Sequence, residues 1–313
     1  MRTTVLGAGV TGLTTATALA DAGHDVTIVA RETHETTVSL VAAAVWTMTS
    51  AEPFEATRRW ALASHHRFAT IAGQAGAGVT RMLHRELERE PPAPSWWEGT
   101  PYVRRLTFDE LPDGYGGGFL IDGFVVEPPR YLAWLRSRLD ERGVTVELGE
   151  VTDLADVDGE LVVNCTGLGA AELAADDGLF PIRGQVVAVA NPGIDVSTSD
   201  ESDPSRIAYA YPRTDEVVLG GTRQIGAGDV EPDDAETDRI LADVAVLEPR
   251  LQGQEVFAVR VGLRPGRAEV RLELDRLTDG RALIHNYGHA GAGYILSWGC
   301  ALDVVDLAGR HAE

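Results

Sequence analysis

Lysine is absent from this chain of 313 residues. Lysine and arginine together number 27, and every one of these residues is arginine. The absence excludes a Schiff base to pyridoxal phosphate, a P-loop lysine and a lysine general base. Enzyme classes that depend on such a lysine are therefore excluded.

Cysteine is scarce. Cys165 and Cys300 are the only two, and both lie in apolar stretches ("VVNCTG" and "SWGCAL"). Small buried hydrophobic side chains fit this setting better than a disulfide or a metal site does. His65, His66 and His285 also lack a spacing typical of metal ligands, so we predict no metal site.

Long apolar runs are missing too. No stretch approaches the ~20 residues that a membrane span needs. The N-terminal "MRTTVLGAGVTG" lacks the layout of a signal peptide, and "RHAE" is not a peroxisomal address of the Ser-Lys-Leu type. We therefore expect a cytoplasmic protein without a membrane partner.

The net charge of −21 argues against binding to nucleic acid or to anionic membranes. Hydrophobic residues make up 44% of the chain, enough to bury a large core. The length suits one large domain or two ordinary ones.

The N-terminus predicts a βαβ unit that binds a dinucleotide. A short apolar strand, "RTTVL", runs into "GAGVTG", and a helix and the strand "DVTIVA" follow. Gly7, Gly9 and Gly12 match G-x-G-x-x-G in this context. Gly7 allows the tight turn, Gly9 lets a pyrophosphate approach the backbone, and Gly12 lets the helix pack on the strand.

The second strand leaves the choice of dinucleotide open. It ends in "IVARE", without an acidic residue at the usual place for binding the adenosine ribose. Glu32 is one candidate for the ribose hydroxyls, and Arg31 is a candidate for the adenosine end of the cofactor. Arg31 is equally suited to the phosphate of NADP.

Farther along, the pattern predicts two interleaved domains. "PPRYLAWLRSRLDERG" predicts a helix, and the apolar strands "VTVELGEV" and "ELVVNCTG" extend a parallel sheet. Apolar runs separated by polar turns predict an antiparallel sheet, with strands at 181–190, 206–213, 216–222, 255–262 and 268–274. The fold class is α/β, with a Rossmann-like nucleotide-binding domain formed by 1–49, 143–180 and 276–313, and an α+β substrate domain formed by 50–142 and 181–275.

Four stretches carry a resemblance to a known family. They are "GAGVTG" (7–12), "VVNCTG" (162–167), "RVGLRPGR" (260–267) and "HNYGHAGAGYILSWGCA" (285–301). Together they resemble the D-amino-acid oxidase family of flavoproteins. The resemblance covers most of the chain, since further stretches also match that family's pattern, namely "SLVAAAVW" (39–46), "RGQV" (183–186) and "YAYP" with "VVLGGTRQ" (209–224).

The resemblance implies an FAD-dependent oxidase for D-amino acids. Arg264 matches the family's carboxylate-binding arginine, Tyr209 matches a tyrosine that touches the same carboxylate, and the carbonyl of Gly291 would accept the substrate amine. The α-hydrogen would pass as hydride to flavin N5, and molecular oxygen would reoxidise the flavin to give hydrogen peroxide. The imino acid would hydrolyse to a 2-oxo acid and ammonia.

The resemblance also implies the cofactor-binding residues. Gly288, Gly291 and Gly293 would leave the pyrimidine edge of the flavin uncovered, and a helix starting near Ile295 would direct its N-terminus at the ring. A helix N-terminus stabilises an anion by about 0.3–1 kcal/mol. The remaining cofactor-binding residues are Gly7, Ala8, Gly9, Val10, Thr11, Gly12, Arg31, Thr37, Ser39, Ala43, Ala44, Val45, Val151, Thr166, Gly167 and Tyr294.

Two positions depart from the family pattern. Ile295 stands where a threonine is usual, and Ser205 stands where vertebrate members have a second active-site tyrosine. The lid over the site and the substrate preference are therefore expected to differ. We assign His289 to shaping the loop rather than to acting as a general base, because hydride transfer requires only positioning and electrostatics.

Several alternatives stay open at this stage. Arg223, in "GGTRQ", stands where the D-aspartate oxidase branch has a second carboxylate-binding arginine. A glycine or secondary-amine oxidase would share the fold, and a nicotinamide-dependent dehydrogenase is supported only by the first βαβ unit and Arg31. A non-catalytic nucleotide-binding module would not need the Arg264 clamp. We allow for a homodimer.

Overall fold

The computed structural model describes residues 1–47, 51–92, 96–203 and 206–312. Six helices lie in these ranges: α1 (Val10–Asp21), α2 (Phe54–Ile71), α3 (Pro128–Asp140), α4 (Ala170–Leu173), α5 (Asp234–Leu247) and α6 (Gly293–Ala312). Within the described ranges no helix is both long and apolar enough to span a bilayer.

The first sheet has six strands in the order β15-β16-β8-β1-β2-β7. Its strands are β1 (Arg2–Leu6), β2 (Asp25–Ala30), β7 (Thr145–Leu148), β8 (Leu161–Asn164), β15 (Arg271–Arg276) and β16 (Ala282–Tyr287). All neighbours are parallel except β15, which runs antiparallel to β16. The predicted Rossmann-like parallel sheet is confirmed.

The second sheet has ten strands, eight of them in the order β13-β9-β12-β11-β10-β4-β6-β3. These are β3 (Val45–Trp46), β4 (Val79–Glu88), β6 (Gly117–Val126), β9 (Phe180–Ala190), β10 (Ser197–Asp200), β11 (Ala208–Pro212), β12 (Glu216–Gly220) and β13 (Gln224–Ile225). The other two are β5 (Val103–Arg105), which pairs with β6, and β14 (Val256–Gly266), which pairs with β9. The pairing is antiparallel throughout except between β4 and β10, which are parallel.

The domain boundaries remain a prediction, and two strands cross them. β3 lies in the segment assigned to the nucleotide-binding domain but pairs with β6 of the second sheet. The strand predicted at 268–274 corresponds to β15, which pairs with β16 of the first sheet. Its assignment to the antiparallel substrate sheet was wrong, because a pattern of alternating side chains does not indicate which sheet a strand joins.

Helix periodicity correctly identified the helices around the first sheet. In α1, Leu13, Ala16 and Leu19 are fully buried. The chain leaves this helix through Gly23, which has a φ of +88°, and the amide of His24 bonds back to the carbonyl of Leu19. This arrangement is a Schellman cap, which favours glycine at the left-handed position.

Close packing of α6 against α2 depends on a glycine within α6. Gly299 donates its backbone N–H to the hydroxyl of Ser64 over 3.0 Å. A Cβ built at position 299 would overlap the backbone of Trp60. The two helix backbones therefore approach too closely for any larger residue.

We predict that Gly299→Ala destabilises the fold. Overpacking a close helix contact costs about 1–3 kcal/mol, and each kcal/mol lowers the melting temperature by roughly 2–4 °C for a chain of this size. Gly309→Ala in the same helix is the matched control, because its Cβ meets nothing within 4 Å. That variant is expected to melt at or above the wild-type temperature. Equal melting temperatures for the two variants would contradict the packing account.

Candidate active site

The turn between β1 and α1 requires glycine at two positions. Gly7 has a φ of +104°, and a Cβ there would lie 2.7 Å from the carbonyl oxygen of Cys165. At Gly12 a Cβ would overlap the carbonyl of Gly7. The tight turn and the close packing of helix on strand that the sequence predicts are both present.

The N-terminus of α1 presents backbone donors to a polar space. The hydroxyl of Ser39 accepts the N–H of Val10 over 3.0 Å, and a Cβ at Gly9 would lie 3.0 Å from that hydroxyl oxygen. Tyr294 donates its hydroxyl to the carbonyl of Ser39 over 2.9 Å. A helix N-terminus without a side-chain cap of its own suits a pyrophosphate.

The predicted adenosine end lies at the carboxyl ends of β2 and β8, which flank β1. Arg31 is exposed and Glu32 half-buried, and neither takes part in a hydrogen bond or ion pair among residues 1–47, 51–92, 96–203 and 206–312. At the end of β8, Thr166 donates its hydroxyl to Asn164 over 2.7 Å. This edge, where the strand order runs outward in both directions from β1, is the usual place for a nucleotide in such sheets.

The remaining residues predicted around the cofactor have different surroundings. Thr37 is buried and donates its hydroxyl to the carbonyl of His34 over 3.2 Å. Gly167 has a φ of +59°. Val151 packs against the apolar cluster beneath β1 and β8. Ala8, Val10, Ala44, Tyr294 and Ile295 are all buried in the main core.

The loop before α6 has room for a Cβ at two of its glycines. The nearest atom to a Cβ built at Gly291 is Cδ of Arg264 at 3.8 Å, and at Gly293 it is Cγ1 of Val10 at 3.8 Å. Gly288 differs, because its φ is +82° and its Cβ would lie 3.0 Å from the side chain of Arg267. The helix begins at Gly293, two residues before the predicted start at Ile295.

One buried side chain of this loop has a polar atom left unpaired within the described part of the chain. His289 is buried, and its Nε2 has no hydrogen-bond partner among the described residues. Burial lowers the pKa of His289 to about 4, so the ring is neutral at neutral pH. An orphaned ring nitrogen beside an uncovered glycine loop fits a bound planar group with hydrogen-bonding edges, as the isoalloxazine ring of FAD has.

Two alanines in the site adopt a backbone conformation that only glycine adopts readily. Ala44 has a φ of +54° and Ala290 a φ of +47°. Such left-handed residues cost about 1–3 kcal/mol and are concentrated at functional sites. No sequence motif indicated either of them.

Arg213 holds the segment that contains Ala44. Its side chain is 4% exposed. It donates to the carbonyls of Ala42 and Ala43 over 2.8 and 3.1 Å and to Glu216 over 2.6 Å. Arg260 donates to the same Glu216 over 2.8 Å. Sequence reasoning missed Arg213, because the two carbonyls that it binds lie 171 and 170 residues away along the chain.

Arg264 has no carboxylate partner among the described residues. The side chain is half-buried in β14, and the one hydrogen bond recorded for it is from Nη1 to the carbonyl of Thr222 over 3.1 Å. Its guanidinium lies over Gly184, where a Cβ would overlap it. Most of its donors are therefore free for a ligand.

Tyr209 lies next to Arg264 on the same face of the second sheet. Its ring stacks on Tyr211 at 4.3 Å and covers Gly220 and Gly221, where a Cβ would collide with it. Burial raises the pKa of Tyr209 to about 12, while the nearby Arg264 acts in the opposite direction. The hydroxyl therefore remains protonated and can donate to an anion.

The other predicted substrate residues are less enclosed. Arg223 is exposed and makes no ion pair or hydrogen bond within the described part of the chain. Ser205, which replaces the family's second tyrosine, lies outside the described residues. Where the structure describes the chain, no group of three or more His, Cys, Asp and Glu side chains could hold a metal ion.

The arginines that follow Arg264 along the chain, Arg267 and Arg271, form partly buried ion pairs with Asp176. Arg267 bonds to Asp176 over 3.0 Å, and Arg271 donates to the hydroxyl of Tyr287 over 2.6 Å. Tyr287 in turn donates to Asp176 over 2.9 Å. This network holds Tyr287, the residue that precedes the glycine loop.

Comparison with known proteins shows the family of this chain. Residues 2–307 match the model of a family described as FAD dependent oxidoreductase. The chain belongs to this family. It is 45% identical to a D-amino-acid oxidase of Rubrobacter xylanophilus, over 98% of this chain and 96% of the relative. It is 41% identical to a D-amino-acid oxidase of Streptomyces coelicolor, over 97% and 95% of the two chains.

A solved structure shows the same fold. Glycine oxidase from Bacillus cereus superposes with a TM-score of 0.82, covering 100% of this chain and 96% of that one at 20% identity. The likeness at this identity concerns the fold. The fold class and the FAD cofactor predicted from the sequence are confirmed.

We predict that Arg213→Met weakens FAD binding at least tenfold. The change removes a buried charged donor from the carbonyls of Ala42 and Ala43, and hydrogen bonds to charged groups contribute about 1.5–3 kcal/mol each, where about 1.4 kcal/mol is tenfold. Flavin release is measured by fluorescence during dialysis. Arg276→Met, at an exposed arginine on β15, is the control and should retain FAD. Wild-type FAD affinity in Arg213→Met would show that this contact does not position the segment.

Proposed function

We propose that this protein is an FAD-dependent D-amino-acid oxidase in which Arg264 and Tyr209 bind the substrate carboxylate. The observation that carries the proposal is the half-buried guanidinium of Arg264, which has one carbonyl partner among the described residues and no carboxylate. A half-buried cation without an anion is costly in the free protein. A substrate carboxylate offers two oxygens that match the planar fork of arginine.

The chain's own groups position the substrate. Arg264 and the protonated hydroxyl of Tyr209 hold the carboxylate at one end, and the carbonyl of Gly291 accepts a hydrogen bond from the amine. When bound, FAD would supply the acceptor for the α-hydrogen as hydride and the route by which its electrons reach oxygen to give hydrogen peroxide. The imino acid that leaves is hydrolysed to a 2-oxo acid and ammonia. No side chain needs to act as a general base, and His289 would be a weak one because burial lowers its pKa to about 4.

The residues proposed to bind FAD surround the glycine turns and loops. The α1 N-terminus with Gly7, Gly9 and Gly12 would bind the pyrophosphate. Thr166 and Gly167 would approach the cofactor from β8, and Arg31 and Val151 would lie at the adenosine end. The flavin ring would lie against 288–295 and 43–45, where Ala44 and Ala290 have left-handed backbones. We propose further that the protein is cytoplasmic and that oxygen accepts the electrons from the flavin. The division of the chain into two domains is part of the same proposal.

D-Aspartate oxidase is the second candidate, and Arg223 favours it. Its exposed guanidinium is free for a second carboxylate. Opposing this, the carboxyl of Glu201 lies within electrostatic reach of both Arg223 and Arg264. A nearby negative charge weakens the attraction of an acidic side chain to either arginine.

A panel of substrates tests the function. Oxygen consumption and peroxide formation are measured with D-alanine, L-alanine, D-valine, D-aspartate and sarcosine. We expect turnover of D-alanine and D-valine, none of L-alanine, and slow or no turnover of D-aspartate. Turnover of sarcosine without D-alanine would instead establish a secondary-amine oxidase, and preference for D-aspartate would establish the second candidate.

Arg264→Ala is predicted to lower kcat/KM for D-alanine by about ten- to a thousandfold. Loss of one partner of a buried charge pair costs about 2–5 kcal/mol, and about 1.4 kcal/mol is tenfold in rate. The flavin absorbance spectrum verifies that FAD is retained. Arg310→Ala, on exposed α6 surface, is the control. Wild-type kcat/KM in Arg264→Ala would remove the basis of the proposal.

A further inference from the structure

A carboxyl group shares the sheet face of Tyr209. Glu86 on β4 pairs with Ser199 on β10, and Ser199 pairs with Tyr209 on β11. Directly opposed residues of neighbouring strands project from the same face, and strands lie about 4.8 Å apart. Glu86 and Tyr209 therefore stand about 10 Å apart across the same face, with the small side chain of Ser199 between them.

The negative charge that Glu86 carries when it is ionised has no balancing cation among the described residues. The side chain is half-buried and forms no ion pair with any described arginine. Two other carboxyl groups near the site are paired, Asp176 with Arg267 and Glu216 with Arg213. Burial, followed by the carboxyl groups of Glu201 and Glu88, raises the pKa of Glu86 to about 8. Glu86 thus has no cationic partner, just as Arg264 has no anionic partner, among the described residues.

The hydroxyl of Thr47 lies beside the carboxyl of Glu86. Thr47 is 9% exposed, yet its Oγ1 has no hydrogen bond of normal geometry to any described residue. Val45 and Tyr211 form part of the apolar cluster between this corner and Tyr209. The face thus offers an anion-binding end, an apolar middle and an acidic, hydrogen-bonding end.

We infer that Glu86 selects D-amino acids with a long cationic side chain, holding the side-chain cation while Arg264 and Tyr209 hold the carboxylate. The inference rests on the proposed function, because the two groups at the other end fix how the substrate lies. Glu201 adds negative charge to the same space and disfavours D-aspartate and D-glutamate. The substrate class is therefore represented by D-arginine and D-lysine.

D-Arginine and D-citrulline form a matched pair of probes. They have the same length and shape, but only D-arginine carries a side-chain charge. We expect kcat/KM of the FAD-loaded enzyme to be at least tenfold higher for D-arginine. Glu86→Gln should lower the D-arginine to D-citrulline ratio at least tenfold, because it removes the charge and keeps the shape. Glu147→Gln, at an exposed glutamate of β7, is the control and should leave the ratio unchanged.

The pH dependence of the same ratio is a second measurement. The titratable groups that face Glu86 are Glu88 on its own strand, Glu201 after β10 and Tyr211 on β11, while His84 on β4 stays neutral because burial lowers its pKa to about 3. A carboxyl with a raised pKa is protonated below that value and ionised above it. The ratio should therefore rise as the pH increases through about 8 in the wild type and stay flat in Glu86→Gln. Both probes have the same α-amine, so the effect of its ionisation largely cancels in the ratio of the two kcat/KM values.

The outcomes separate this inference from the proposed function. If D-alanine and D-valine are oxidised but D-arginine is no better than D-citrulline, or the ratio survives in Glu86→Gln, the inference is overturned and the oxidase function stands. If no D-amino acid is oxidised, the proposed function itself fails. Should Glu86→Gln not fold, the wild-type comparison of D-glutamate with D-glutamine still decides, since a preference for D-glutamate contradicts an acidic side-chain site.

Discussion

The site depends on one positive charge, that of Arg264, which forms no ion pair with any described residue. Three enclosed arginines near the site are paired with carboxylates: Arg213 and Arg260 with Glu216, and Arg267 with Asp176. Arg264, on the same sheet face, has a carbonyl instead. Burying charge is unfavourable unless it is paired, so the folded protein carries a cost at Arg264 that a bound carboxylate offsets.

The frame around that charge is built from close approaches that exclude side chains. Gly184 makes room for the guanidinium of Arg264, and Gly220 makes room for the ring of Tyr209. The ion pair of Asp176 with Arg267 lies next to the glycine loop before α6. The hydrogen bonds of Arg213 hold the segment with Ala42 and Ala43. A site that acts by positioning requires such rigidity, because a small displacement of the substrate lowers the rate strongly.

Much of this architecture could be predicted from the sequence where the signal is local. The glycines at 7 and 12 are required by contacts with the adjacent turn, and the periodic leucines of α1 and α3 are buried as expected. Family resemblance predicted Arg264 and Tyr209 as neighbours, and the structure places them together. Long-range features were missed. The partners of Arg213, the sheet joined by β15 and the left-handed Ala44 all depend on segments far apart in the chain, for which a single sequence contains no local pattern.

The most direct measurement follows the oxidised-flavin absorbance of the purified protein under anaerobic conditions as three compounds are added in turn. These are L-alanine, D-alaninamide, which lacks the carboxylate, and D-alanine. If the charge of Arg264 recognises the substrate, D-alanine alone reduces the flavin rapidly. Reduction by D-alaninamide as fast as by D-alanine would contradict a mechanism built on that guanidinium.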